Sequence, residues 1–126
     1  MDLNALSLAD VAAFDLLDEM VHITDAKTQR ILFVNRAERE RTGVSSLAAE
    51  TLTCHKMLAG IHVPCVNCCT MPLAIGEVRE SQGYNPATKR HVYIKMRGIR
   101  LEGRLAHLVL SIDVSEIEQE KRALQN

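Results

Sequence analysis

Aromatic residues are nearly missing from this chain of 126 residues. Phe14, Phe33, Tyr84 and Tyr93 are the whole set, and there is no Trp. A core built from it is therefore aliphatic, and a stacking platform for single-stranded nucleic acid is excluded. A surplus of one charge is missing too: 15 Lys and Arg face 16 Asp and Glu, a net charge of −1, so no nucleic-acid partner is expected. No apolar run approaches the ~18 residues of a membrane span. The start, Met1-Asp2-Leu3-Asn4, lacks the basic-then-apolar pattern of a signal peptide. The domain is expected in the cytoplasm, with no membrane contact of its own, where thiols stay reduced. There is no Gly-rich phosphate loop, no haem-attachment motif, no internal repeat and no low-complexity linker. A Cys–His pair such as Cys54 with His62 has no third orienting group and no oxyanion hole, so no enzyme is expected.

What is present is concentrated. All four cysteines, Cys54, Cys65, Cys68 and Cys69, fall within sixteen positions, together with His55 and His62. Cys65 and Cys68 form a Cys-x2-Cys hook, whose thiolates converge on one ion. Cys54 returns as a third ligand, and the fourth is Cys69, His55 or His62. Zinc favours three cysteines and one histidine; an iron–sulfur cluster calls for thiolates throughout. Two readings without a metal stand beside these. One is a thiol–disulfide switch. The other is inert packing, since free cysteine behaves as a small buried hydrophobe.

The rest of the chain reads as one domain of ordinary composition, 47% hydrophobic and 25% charged, which excludes general disorder. Residues 7–18 have helical spacing, opened by a capping-box pair, Ser7 and Asp10. From Met20 the period becomes two. Val21 and Ile23, then residues 30–34, read as a β-hairpin. Asn35 caps a short helix over 36–41 that Gly43 stops. Further short helices are expected over 47–50, 52–58 and 65–75, the last broken at Pro72 or begun after it. Three strands follow: 77–84, one around Val92, Ile94 and Met96, and one over 105–112, joined by a Glu102-Gly103 turn. Residues 114–126 start a helix with a short coiled-coil seam, Val114, Ile117, Lys121 and Leu124. His22, His91 and His107 read as partly solvated strand-face groups, and residues 36–41 as a solvated helix face.

This order, with the hairpin ending at Asn35 and the junction Ser111-Ile112-Asp113-Val114-Ser115-Glu116, resembles the PAS domain family. Cys54-His55 followed by Gly60 and Pro64-Cys65-x-x-Cys68 is similar to a cysteine-bearing PAS subgroup of bacterial signalling proteins. His55 replaces its usual Tyr, and Cys69 is extra. The resemblance implies an α+β fold, a five-stranded antiparallel sheet with short helices packed on one face. Residues 1–18 would form a flanking helix, 19–113 the core and 114–126 the start of a signalling helix. It further implies a sensory domain for a small-molecule ligand or a redox or metal state, acting as a homodimer. Its covalently linked effector would be a histidine kinase, a diguanylate cyclase or a transcription regulator. The rival expectation is a small metal-binding or thiol-redox protein whose cysteine cluster is the whole function.

Overall fold

The computed structural model describes residues 2–43, 72–85 and 89–125. The capping box forms as its residues require: Ser7 Oγ accepts the Asp10 N–H at 3.1 Å, and Asp10 Oδ2 accepts the Ser7 N–H at 2.9 Å. The helix it opens is shorter than its periodicity suggests. α1 covers Leu8–Ala12, and one 3₁₀ turn, Ala13–Leu16, completes it. The cause is tertiary. The Phe14, Asp15 and Leu17 carbonyls accept side-chain N–H groups of Asn35 and Arg36, so they are taken by partners outside any continuing helix.

Alternating residues then build the sheet. Its strands are β2 (Met20–Asp25), β3 (Ile31–Val34), β4 (Val78–Asn85), β5 (Arg90–Leu101) and β6 (Arg104–Asp113). They lie in the order β3-β2-β6-β5-β4, every neighbouring pair antiparallel. A two-residue strand, β1 (Ala5–Leu6), runs parallel to the end of β5 at Arg100 and Leu101; the sequence did not suggest it. The sheet is thus the expected five antiparallel strands with one short parallel addition. β6, apolar on both faces, is central, as its sequence requires.

The hairpin between β5 and β6 turns at Glu102 and Gly103, whose φ angles of +49° and +80° suit a tight primed turn. α2 (Arg36–Thr42) starts at Asn35 and stops at Gly43, which adopts the left-handed cap conformation. Residues 72–75, placed in or after a helix by their spacing, are not helical; Ile75 instead bridges Gly98 in parallel. After Asp113 the chain enters α3 (Ser115–Gln125).

The two sheet faces bury different clusters. On one, Leu6 and Val11 pack on Ile23, Ile99, Leu101 and Ala106, with Phe14 and Phe33 at the margin. On the other, Ile31, Val34, Met96 and Val109 meet Leu73. Each fully buried aliphatic side chain contributes about 1.5–3 kcal/mol. The N-terminal helix therefore covers one face, and residues 72–77 lie on the opposite one.

Candidate functional site

That second face is polar to a degree its strands do not advertise. Strand alternation puts His22 and Thr24 of β2 on the same side as His107, Val109 and Ser111 of β6, because His22 pairs with Val109 and Thr24 with His107. His22 is 2% exposed, and Thr24 and His107 are wholly enclosed. The expectation of partly solvated histidines is thus overturned for His22 and His107; His91 alone stays half-buried. Both buried rings sit between the sheet and the segments that cross it, where water is displaced.

α2 supplies the next member. Glu38, also wholly enclosed, meets the ring of His22 with Oε1 2.9 Å from Nδ1. The helix is therefore not the solvated face its charges suggest. Glu38 reaches inward because Asn35 fixes the start of the helix. Asn35 Oδ1 accepts the N–H groups of Val21 and Glu38, and its Nδ2 donates to the carbonyls of Phe14 and Glu19. One buried amide ties β2, α2 and the N-terminal turn together. The outward residues of α2 stay charged: Arg36 bonds Asp18 and Glu40.

On the far side of this face, the Leu73 N–H donates to His107 Nε2 at 3.0 Å. The accepting nitrogen carries no proton, so the ring is neutral with its proton on Nδ1. The buried row thus runs Glu38, His22, Thr24, His107, with Ser111 nearby on β6. Its members are hydrogen-bonding side chains whose protonation changes their pairing. Two surface clefts lie elsewhere. One, of about 250 Å³, is lined by Gln82, Tyr84, His91 and Val114; another, of about 320 Å³, by Asp25, Arg30 and Arg104. Neither is lined by a residue of the buried row.

The junction to α3 is clamped by local bonds. The Val114 N–H donates to the His91 carbonyl, the His91 N–H to Ser115 Oγ, and the Ser115 N–H to Asp113 Oδ1 at 2.9 Å. Burial works to raise the Asp113 carboxyl. The Ser115 N–H and hydroxyl, with Arg90 and Arg41 nearby, outweigh it and hold the group below the ordinary carboxylate range. Arg41 belongs to α2 and Asp113 ends β6, so the helix that carries Glu38 also touches the junction leading into α3.

The residues singled out for metal binding, Cys54, His55, Cys65, Cys68 and Cys69, lie outside the described residues, as does His62 and as do the helices expected over 47–50 and 52–58. Among the described residues no three His, Cys, Asp or Glu side chains group as a metal centre. What sequence reasoning missed is the row His22, Glu38, Thr24 and His107. The available signal was that His107 sits in a strand apolar on both faces, flanked by Leu105, Ala106, Leu108 and Val109.

Superposition on solved structures decides the fold. The PAS domain of an HTR-like protein from Haloarcula marismortui superimposes with a TM-score of 0.63 at 18% identity, over 81% of this chain and 86% of that one. This is the PAS fold. The PAS domain of nitrogen regulation protein NR(II) from Vibrio parahaemolyticus gives 0.62 at 15% identity, over 82% and 96%. A PAS domain from a two-component sensor histidine kinase gives 0.50 at 9%, over 80% and 89%. No family model and no curated protein matches the sequence. The buried row lies on the sheet face that meets α2 and residues 72–77. No helix among the described residues is long and apolar enough to cross a membrane.

Proposed function

We propose that this chain is a cytoplasmic PAS sensor domain of a bacterial signal-transduction protein. It detects a small ligand or a redox or metal state through the 54–69 stretch and relays it through α3. The domain catalyses nothing itself. It works as a homodimer joined covalently to an effector, for which the two-component sensor histidine kinase among its structural neighbours is the model; a diguanylate cyclase or a transcription regulator would use the same exit helix.

The observation that carries this reading is the connectivity around the buried polar face. The chain leaves that face by α2, which holds Glu38 against His22, and rejoins it at Leu73, which bonds His107. All four cysteines lie in sequence between these two attachments. A change of ligation or oxidation there pulls on both, and α2 also bears Arg41 beside Asp113 at the exit helix.

The test is anaerobic purification, elemental analysis and a visible spectrum, followed by a Cys54, Cys65 and Cys68 to Ser triple variant in the full-length protein. Bound zinc, the visible absorbance of an iron–sulfur cluster or a reversible disulfide is expected, with loss of regulated output in the variant. Full regulation in the folded triple variant refutes the assignment to the cysteines.

A further inference from the structure

Residues 72–77 form a strap across the buried polar face, fastened at one place. Leu73, 2% exposed, is seated in the apolar cluster with Met96 and Val109. Its N–H donates to His107 Nε2, the Gly76 N–H donates to the Gly98 carbonyl at 2.8 Å, and the Gly98 N–H donates to the Glu77 carbonyl at 2.9 Å. Gly98 and His107 are paired directly across β5 and β6, so all three bonds meet at one cross-strand pair. Gly98 admits the strap because it has no side chain: a Cβ there would lie 2.2 Å from the Ala74 carbonyl oxygen. Backbone and sheet are in contact with nothing between them.

We infer that the strap is held by a proton-sensitive latch, the neutral ring of His107, and that acid releases it from the sheet. A protonated imidazole donates from both nitrogens and accepts at neither. The Leu73 N–H would then face another N–H across 3.0 Å, with the ring wholly enclosed. Among the described elements, the titratable or charged groups on this sheet face are His22 of β2, already bonded to Glu38 of α2, Arg100 of β5, exposed two residues from Gly98, and Arg79 of β4, paired with Met96; Glu77 of the strap accepts the Ala74 N–H at Oε1.

The sign follows from proton counting. The latched ring accepts at Nε2 and binds one proton fewer than a released, protonated ring, so falling pH favours release. A solvated imidazole titrates near 6.5, so opening gains up to about tenfold per pH unit below about pH 6.5 and is insensitive above it. In sequence the strap follows Cys69 by three positions, so release frees the described segment that comes directly after the cysteine stretch. The latch itself uses no thiol and no metal, so its failure would leave the sensor assignment standing.

Amide hydrogen exchange by mass spectrometry on the intact chain, between about pH 5 and about pH 8, tests this. After correction for intrinsic exchange, peptides covering 72–77 are expected to lose protection up to about tenfold per unit below about pH 6.5, while β2 peptides do not. His107→Gln offers an amide oxygen that accepts at every pH, so its strap should show no such dependence. Flat protection in the parent chain, or an unchanged dependence in His107→Gln, overturns the latch. Nitrogen-15 shifts of the His107 ring in the parent chain decide the case if the variant does not fold. An unprotonated Nε2 at neutral pH supports the latch, and a protonated one refutes it.

Discussion

Asn35→Ala removes the residue that aims Glu38 into the buried row, and its cost can be worked out bond by bond. Two N–H groups lose their acceptor, those of Val21 and Glu38, at 3.0 and 3.1 Å in the parent. Both residues are buried, so neither donor reaches water without local opening. A buried polar group left unpaired costs about 1–3 kcal/mol. The carbonyls of Phe14 and Glu19 also lose the Nδ2 donor, but Glu19 is exposed and Phe14 half-buried, so water can replace much of that loss. The sum is about 2–6 kcal/mol, set against a typical domain stability of about 5–15 kcal/mol. Urea unfolding should show the midpoint falling with an unchanged slope. Asn35→Ser should recover about 1 kcal/mol, because a hydroxyl can cap the helix but cannot also reach Val21. A loss below about 1 kcal/mol for the Ala variant, or a Ser variant no better than Ala, would refute this account of the bonds.

Two further perturbations probe the strap and the exit junction. Gly98→Ala places a methyl against the Leu73 and Ala74 carbonyls, and is expected to cost about 1–3 kcal/mol and to speed amide exchange in residues 73–77; unchanged exchange there would contradict the close approach. Asp113 has its folded carboxyl below the ordinary 3.8. The unfolded chain therefore binds more protons near that pH. The stabilisation is present above 3.8 and is lost as pH falls through the lowered folded value. Asp113→Asn should flatten the melting temperature against pH over that window, and an identical acid slope in the variant would show that the carboxyl is not responsible.

The local elements of the fold could be read from the residues. Ser7 with Asp10, Asn35, Gly43 and the Glu102-Gly103 turn each act within a few positions, through a side-chain cap or a positive φ, and each forms as its residues require. The five antiparallel strands were legible for the same reason, since alternation is a property of neighbours, whereas the two-residue β1 was not. The limits of α1 and the conformation of residues 72–75 were not. Asn35 and Arg36 take the carbonyls near α1, and Gly98 receives the chain after Pro72. No window of local sequence contains both partners.

The candidate site follows the same division. By itself the sequence determined the α+β class, the order of the five antiparallel strands, and the confinement of every cysteine to one stretch. Tertiary structure alone decided that His22, Glu38 and His107 are enclosed. His22 meets Glu38 across sixteen positions and His107 meets Leu73 across thirty-four. A histidine on a strand has the same local pattern whether its face meets water or a strap. Burial depends on what distant backbone lies above it, and only the folded chain supplies that backbone.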